Sequence, residues 1–373
     1  MKHYGDITKI KGNEVPIVDV ITGGSPCQDL STASHKRAGM KHSKLGNDET
    51  TRSGLFMEQL RIIREMHDEC RKSNQPIRPR YMVWENVIGA FSTNNGEDFR
   101  AVLEETARIV DRSAVIPRLA DGCAWSNSGC ILADRWSIAW RVHDSQFWGV
   151  AQSRRRISLI ADFRGQTAPE TLFERENEQG IITAYGKQRA VCTTAGSENT
   201  ADEASQPIMI EMGSTNHTII RNGICVTLKA RMGTGGENVN AVIRDNGIYR
   251  LSPVEVERLQ GFPDNWTEIG DWVDTRGKTR KSAMCQRYKA LGNSIAVGYA
   301  NDKKGFWCWL ADRIVNQLKA EGIDEPTMAS LFDGIGGFPL AFSAYGCKPV
   351  WASEIEEFPI AVTKRHFPEG DEE

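Results

Sequence analysis

Cys27 lies in the run Gly24-Ser25-Pro26-Cys27-Gln28-Asp29, just after a short apolar, β-branched stretch over residues 15–21. A thiol beyond the carboxyl end of a strand stands where α/β sheets place their ligands, and exposure there lets it act as a nucleophile. Taken alone it is equally a small buried hydrophobe, although Ser25, Gln28 and Asp29 are polar company for a core residue. Trp84-Glu85-Asn86-Val87 repeats the geometry at the end of a second apolar run, residues 80–84. A carboxyl group in that position can have its pKa raised and serve as a general acid; its plain alternative is a turn or capping carboxylate. In Gln152-Ser153-Arg154-Arg155-Arg156, read as strand, Arg154 and Arg156 share one face and Arg155 takes the other. Alternate arginines can pair with phosphate or carboxylate, or simply form a solvated surface.

A second kind of chemistry is suggested near the other end. Ser330-Leu331-Phe332-Asp333-Gly334-Ile335-Gly336-Gly337-Phe338 reads as a strand that breaks into glycines and then a helix. Glu354 follows the next apolar strand, Pro349-Val350-Trp351-Ala352. Glycines let a ligand approach the backbone, and an acid after the second strand can hold ribose hydroxyls. A dinucleotide fingerprint would want glycine where Pro339 stands. The shorter pattern suits a nucleoside cofactor without a pyrophosphate, such as S-adenosylmethionine; a tight turn alone would explain it too. Leu291-Gly292-Asn293-Ser294 reads as a helix opening that could complete a pocket, or as a plain N-cap.

The elements that must position these residues alternate strand and helix. Phe56, Leu60, Ile63 and His67 fall at helical spacing, and residues 29–53 form a long polar loop between the first strand and that helix. Residues 164–246 are rich in Gly, Thr, Asn and Ser, with short strand-like pieces at 208–210 and 224–228. Ser252-Pro253-Val254-Glu255 starts a helix with a capping box, and Gly261 ends it. Another helix is expected over about 294–319, then renewed βα character over 328–367. Arg276, Lys278, Arg280, Lys281, Arg287 and Lys289 form the densest basic cluster.

With 373 residues, 40% hydrophobic and 25% charged, the chain can bury a core in about two domains at roughly 100–200 residues each. The net charge of −3 excludes a polycation, so any nucleic-acid binding relies on local patches. No apolar run approaches the ~18 residues that span a bilayer, and residues 1–6 carry no signal-peptide pattern, so a cytoplasmic address is expected. Nine scattered cysteines without a Cys-x-x-Cys pair indicate neither disulfides nor a metal site, and most are expected to be buried.

Together these motifs resemble the DNA (cytosine-5)-methyltransferase family: Pro-Cys-Gln, Glu-Asn-Val, Gln-x-Arg-x-Arg, a variable insert, Arg-Leu-Ser-Pro-x-Glu with Leu-Gln-Gly-Phe-Pro, Gly-Asn-Ser and Phe-x-Gly-x-Gly-Gly. The resemblance implies a doubly wound, mostly parallel, Rossmann-like S-adenosylmethionine-dependent methyltransferase domain. A smaller, loop-rich target-recognition domain accompanies it. The expected division is 1–163, catalytic; 164–284, target recognition; 285–373, catalytic again. The glycine motif, usually first, is last here. Passing from Phe367-Pro368 to Tyr4-Gly5-Asp6-Ile7 restores the family order, so the chain reads as circularly permuted.

By the same resemblance, Cys27 adds to C6 of cytosine and Glu85 supports ring N3. Asn86 holds the Glu85 loop, and Arg154 with Arg156 positions the base and Glu85. Phe332, Gly334, Ile335, Gly336, Gly337 and Pro26 line the S-adenosylmethionine site. Glu354 takes the ribose, and Asp6 and Ile7 meet the adenine. Ile355 stands there too, where the family often has an aromatic residue. Asn293 and Ser294 close the methionine end. The expected partner is duplex DNA with a flipped cytosine, wrapped by the 29–53 loop, with phosphates on the basic cluster and sequence read by the insert. A monomer is expected, and a companion restriction endonuclease is compatible. The competing expectations are a tRNA methyltransferase of the same fold and a non-catalytic DNA-binding permutant.

Overall fold

Strand Val20–Gly23 is buried along its whole length, as a central parallel strand covered on both faces must be. Its alternate residues go to opposite sides: Val20 joins one apolar cluster and Ile21 the other. The structure is a computed structural model that describes residues 1–26, 54–120, 122–174, 208–212, 217–232, 239–244, 247–299 and 302–369. Cys27, the 29–53 loop and much of the insert lie outside the described residues.

In chain order the elements are β1 (Lys2–His3), β2 (Val20–Gly23), α1 (Leu55–Lys72), β3 (Tyr81–Asn86), α2 (Glu97–Ala107), β4 (Ser128–Leu132), β5 (Ser137–Asp144) and β6 (Arg155–Asp162). There follow α3 (Ala168–Leu172), β7 (Ile208–Met212), β8 (His217–Ile220), β9 (Val239–Arg244), β10 (Gly247–Arg250), α4 (Pro253–Gln260), β11 (Asp271–Val273) and β12 (Thr279–Lys281). The last are α5 (Met284–Asn293), α6 (Phe306–Ala320), β13 (Thr327–Leu331), α7 (Gly337–Ser343), β14 (Lys348–Ser353) and α8 (Glu357–His366).

An eight-stranded sheet runs β1-β14-β13-β2-β3-β6-β5-β4. The pairs from β1 to β3 are parallel, and those from β3 to β4 antiparallel. Phe56, Leu60, Ile63 and Met66 of α1, with Phe99 and Leu103 of α2, cover one face. Phe306, Leu310 and Ile314 of α6, with Phe338 and Phe342 of α7, cover the other. From β13 the chain crosses through α7 to β14; from β2 it crosses through α1 to β3, on the opposite side. The crevice between β13 and β2 is therefore the topological switch point, where such sheets take ligands. A separate four-stranded antiparallel sheet, β10-β9-β7-β8, lies within the insert. Residues flanking it join the larger body: Arg313 Nε of α6 donates to Thr171 O at 2.9 Å, and Trp266 Nε1 to Ile335 O at 2.9 Å.

The Ser252 capping box and the left-handed Gly261 end α4 as the residues dictate, with φ +71 at Gly261. Other local expectations are corrected. The strand before Cys27, β2, begins at Val20, not at residue 15, and β1 precedes it; the Pro16 carbonyl instead accepts from Trp351 Nε1 at 2.9 Å. Glu85 and Asn86 lie inside β3 rather than beyond it. Gly-Asn-Ser closes α5 instead of opening a helix, and the next helix starts at Phe306. Between them Val297 N bonds Gln260 O at 2.8 Å, and Gly298 turns left-handed at φ +68, which breaks the helical ladder. A β-carbon at Gly305 would collide with the Val297 carbonyl. Gly305→Ala is thus expected to cost about 2 kcal/mol or more by overpacking, read as a lower urea midpoint; an unchanged midpoint would show that this contact relaxes freely. Among the described cysteines, Cys70, Cys225, Cys308 and Cys347 are buried, while Cys123, Cys130 and Cys285 are exposed. No helix among the described residues is long and apolar enough to cross a membrane.

Candidate active site

Strand pairing alone lines up the chemistry. Leu331 of β13 is in register with Gly23 of β2, and Gly23 with Trp84 of β3. The glycine loop after β13, the Gly24-Ser25-Pro26 turn after β2 and Glu85 near the end of β3 therefore emerge side by side, at the ~4.8 Å spacing of neighbouring strands. β6 is antiparallel, so its beginning, with Arg156, comes to the same edge. On the other flank, His3 of β1 is in register with Ala352 of β14, which sets Asp6 beside Glu354. The two ends of the polypeptide meet at one crevice.

Glu85 and Arg156 form an ion pair, Oε1 to Nε at 2.9 Å, with both side chains only 13–14% exposed. A β-carbon on Gly24 would sit 3.3 Å from Glu85 Oε2, so the turn passes close against this carboxylate. Asn86 braces the same turn: its Nδ2 donates to Ser25 O and Oγ, each at 3.2 Å, and Trp84 Nε1 donates to Ser25 Oγ at 3.0 Å. Ser25, read from sequence only as a polar neighbour, is the buried peg on which the turn hangs. Arg154 is anchored on the other side, by backbone carbonyls. Its guanidinium is buried and donates to the carbonyls of Leu228 at 3.1 Å and Ser294 at 2.8 Å. The two-residue strand period does not extend to Arg154, which precedes β6 and turns into the interior.

At the glycine loop, Glu354 Oε2 accepts from Gly334 N at 2.8 Å, and Oε1 from the amides of Ile355 and Glu356 at 2.8 and 2.9 Å. Phe332 holds φ +54, a left-handed conformation that costs a non-glycine residue about 1–3 kcal/mol and concentrates at functional sites. Nothing approaches the position of a β-carbon on Gly334 within 4 Å, so one side of the loop is open. Gly337 packs against Ile295, whose Cγ1 would lie 2.7 Å from a β-carbon there, and this joins the loop to the Gly-Asn-Ser segment. Ser294 is buried and donates from Oγ to Leu291 O at 2.8 Å, whereas Asn293 is exposed. Asp6 caps a short turn by accepting from Thr8 N at 3.0 Å; Ile7 packs into the core, and Ile355 is 71% exposed.

Asp333 is the residue that sequence reasoning passed over. It is 6% exposed, and neither carboxyl oxygen has a well-formed hydrogen bond among the described residues. Burial pushes its pKa up to about 8, tempered by the nearby Ser330 hydroxyl and reinforced by the charge of Glu354. A carboxyl group harder to ionise folded than unfolded contributes fully below the ordinary carboxylate range, and that contribution is lost as pH rises toward 8. The ligand-free protein is thus expected to lose melting temperature between pH 5 and 8 relative to Asp333→Asn; parallel profiles would remove Asp333 as the cause.

The expected basic cluster is partly spent. Arg287 is buried in ion pairs with Glu257 at 3.0 Å and Glu268 at 2.5 Å. Arg280 pairs with Asp274 at 2.9 Å, and Lys289 with Glu356 at 2.7 Å.

The sheet order and its topological switch point are those of a Rossmann-like fold. The family described as C-5 cytosine-specific DNA methylase matches residues 1–109 and 133–302, and the chain belongs to it. Similar proteins include one named DNA N-6-adenine-methyltransferase from Escherichia phage P1, 31% identical over 85% of this chain and 55% of its own length. Type II methyltransferase M.BsuFI from Bacillus subtilis is 23% identical over 79% of this chain and 59% of its own. Type II methyltransferase M.HhaI from Haemophilus parahaemolyticus is 24% identical over 79% and 77%. The chain thus spans little more than half the length of the first two.

Proposed function

We propose that this protein methylates C5 of cytosine in duplex DNA, using S-adenosylmethionine. The observation that carries the reading is the register of Leu331 with Gly23, which sets the glycine loop beside the Gly24-Ser25-Pro26 turn, the residues that precede Cys27 in sequence. The residues fit the cofactor: an open glycine loop, the Glu354 carboxylate for ribose hydroxyls, and the unsatisfied Asp333 carboxyl, which suits an ammonium group. When bound, S-adenosylmethionine supplies an electrophilic methyl group.

Cys27 forms the S–C6 bond, and the displaced C5–C6 π electrons make C5 nucleophilic. Loss of the C5 proton after methylation returns the electrons and breaks the S–C6 bond. Glu85, held by Arg156, faces N3, where charge develops. A base inside a duplex cannot meet these groups, so the cytosine is flipped out. In this reading residues 1–163 and 285–373 form the catalytic part and 164–284 read the target, a division supported by the separate sheet β10-β9-β7-β8. The protein acts as a monomer in the cytoplasm, with or without a companion endonuclease.

We also infer that the family order is permuted. The Met1 amino group donates to Phe367 O at 3.1 Å and Pro368 O at 2.9 Å. With β1 parallel to β14, joining these points would make β14-α8-β1 an ordinary βαβ unit.

The name of the phage relative favours a second reading, N6-methylation of adenine. An exocyclic amine needs no thiolate addition, and the charge of direct methylation develops on that amine, which leaves Glu85 and its arginine without the ring charge they would stabilise. Duplex DNA and tRNA incubated with the protein and labelled cofactor, digested to nucleosides and separated by mass, test all readings. 5-Methylcytosine from duplex DNA is expected. N6-methyladenine, label in tRNA alone, or no product overturns the proposal, and bisulfite sequencing locates the site.

A further inference from the structure

Residues 224–232, between β8 and β9 of the small sheet, are strapped onto the catalytic body by polar contacts, beside the burial of Cys225, Leu228 and Met232 in its apolar cluster. Cys225 N donates to Ala151 O and Ser153 N to Cys225 O, both at 2.8 Å. Thr227 Oγ1 donates to Ser153 O at 2.8 Å, and Leu228 N to Gln152 Oε1 at 2.9 Å. Gln152 is fully buried, and its Nε2 bonds Leu259 O at 2.8 Å. At the centre is Arg154, 4% exposed. One arm of its guanidinium takes Leu228 O on the strap; the other takes Ser294 O at 2.8 Å and Gly292 O at 3.4 Å, at the end of α5.

Those two ends lead to different ligands. The strap continues into the sheet assigned to DNA. Ser294 continues into Ile295, which packs on Gly337 of the cofactor loop. Gly292 lies so close to the strap that a β-carbon would collide with the backbone of Lys229 and Ala230, so the segments cannot slide past each other. A planar fork with fixed donor directions holds carbonyls on both segments only when they keep one relative position. We propose that Arg154 is a positioning residue that couples the DNA and cofactor sites, so that each ligand tightens the other by fixing its end of the clamp. The inference rests on the reading given above, and reciprocity requires the same factor in both directions.

The test titrates S-adenosylhomocysteine into the full chain, with and without an unmethylated duplex carrying the site found by bisulfite sequencing. The unsubstituted protein is expected to bind it about tenfold more tightly with the duplex present, within the usual range of coupling factors. Arg154→Gln is expected to bring that ratio below about twofold, with Arg154→Lys between. Thr227→Val, which loosens the strap without touching the guanidinium, is expected to lower it as well and serves if Arg154→Gln does not fold. A ratio near one in the unsubstituted protein overturns the clamp. So does a variant that melts earlier but keeps the full ratio, because Arg154 would then be only structural. Failure of the unsubstituted protein to bind either ligand alone overturns the functional reading instead.

Discussion

Cys27→Ala is expected to reduce methyl transfer to the level of a control without protein, while S-adenosylhomocysteine binding stays within about twofold. The loss is large because cytosine C5 is a poor nucleophile until sulfur adds at C6, and none of the described cysteines lies on the turn after β2. Cys308 is buried, with its pKa pushed up to about 12, and Cys347 is pushed higher still by burial. Binding survives because the cofactor contacts proposed above are Glu354, Asp333 and the loop backbone. A duplex with 5-fluorocytosine at the target should trap a covalent complex with the unsubstituted protein, since fluorine blocks loss of the C5 proton. The variant should trap none. Turnover by the variant removes Cys27 from the mechanism, and an active protein that traps nothing argues against addition at C6.

Arg156→Met is expected to lower kcat by at least about 100-fold with little change in KM for the cofactor, as for loss of a preorganised electrostatic contact. Glu85 is only 13% exposed and its ion-pair partner is Arg156. Without the guanidinium the carboxylate is left partly buried with its charge uncompensated, which favours a different rotamer. Arg156→Lys should recover part of the rate, because a point charge can pair with one oxygen but cannot reproduce the fork. Were kcat in Arg156→Met to stay within about threefold, the pair would be a structural ion pair rather than part of the site. Arg154 variants should differ in kind, acting through coupling between ligands.

Much of the site is legible in the amino-acid order because local physics marks it. Strand-to-glycine breaks announce the loop after β13 and the turn before Cys27. The capping box at Ser252 and Gly261 bound a helix that its residues specify without outside help. The helix of Gly-Asn-Ser was read backwards for a reason of the opposite kind. Asn293 and Ser294 are good N-cap types, but α5 ends there because Val297 is drawn to Gln260 and Gly292 is pressed on the strap, both contacts from distant sequence. Asp333 was passed over because an acid beside glycines looks like a turn residue until burial is known. The arginines of the basic cluster likewise looked free until their carboxylate partners, such as Glu257 for Arg287, came into place.

By itself, the order of amino acids determines the chemical inventory: a thiol, a strand-end carboxyl group, paired arginines and a glycine loop, each set by spacing within a few residues. The tertiary structure decides which of them meet. Strand order puts the last glycine loop beside the first turn. It gives Arg156 to Glu85 and sends Arg154 to the strap, and it folds Glu354 back onto Gly334. These are pairings between residues far apart in the chain. They follow from burial of both faces of one sheet, a condition that no short window of sequence contains.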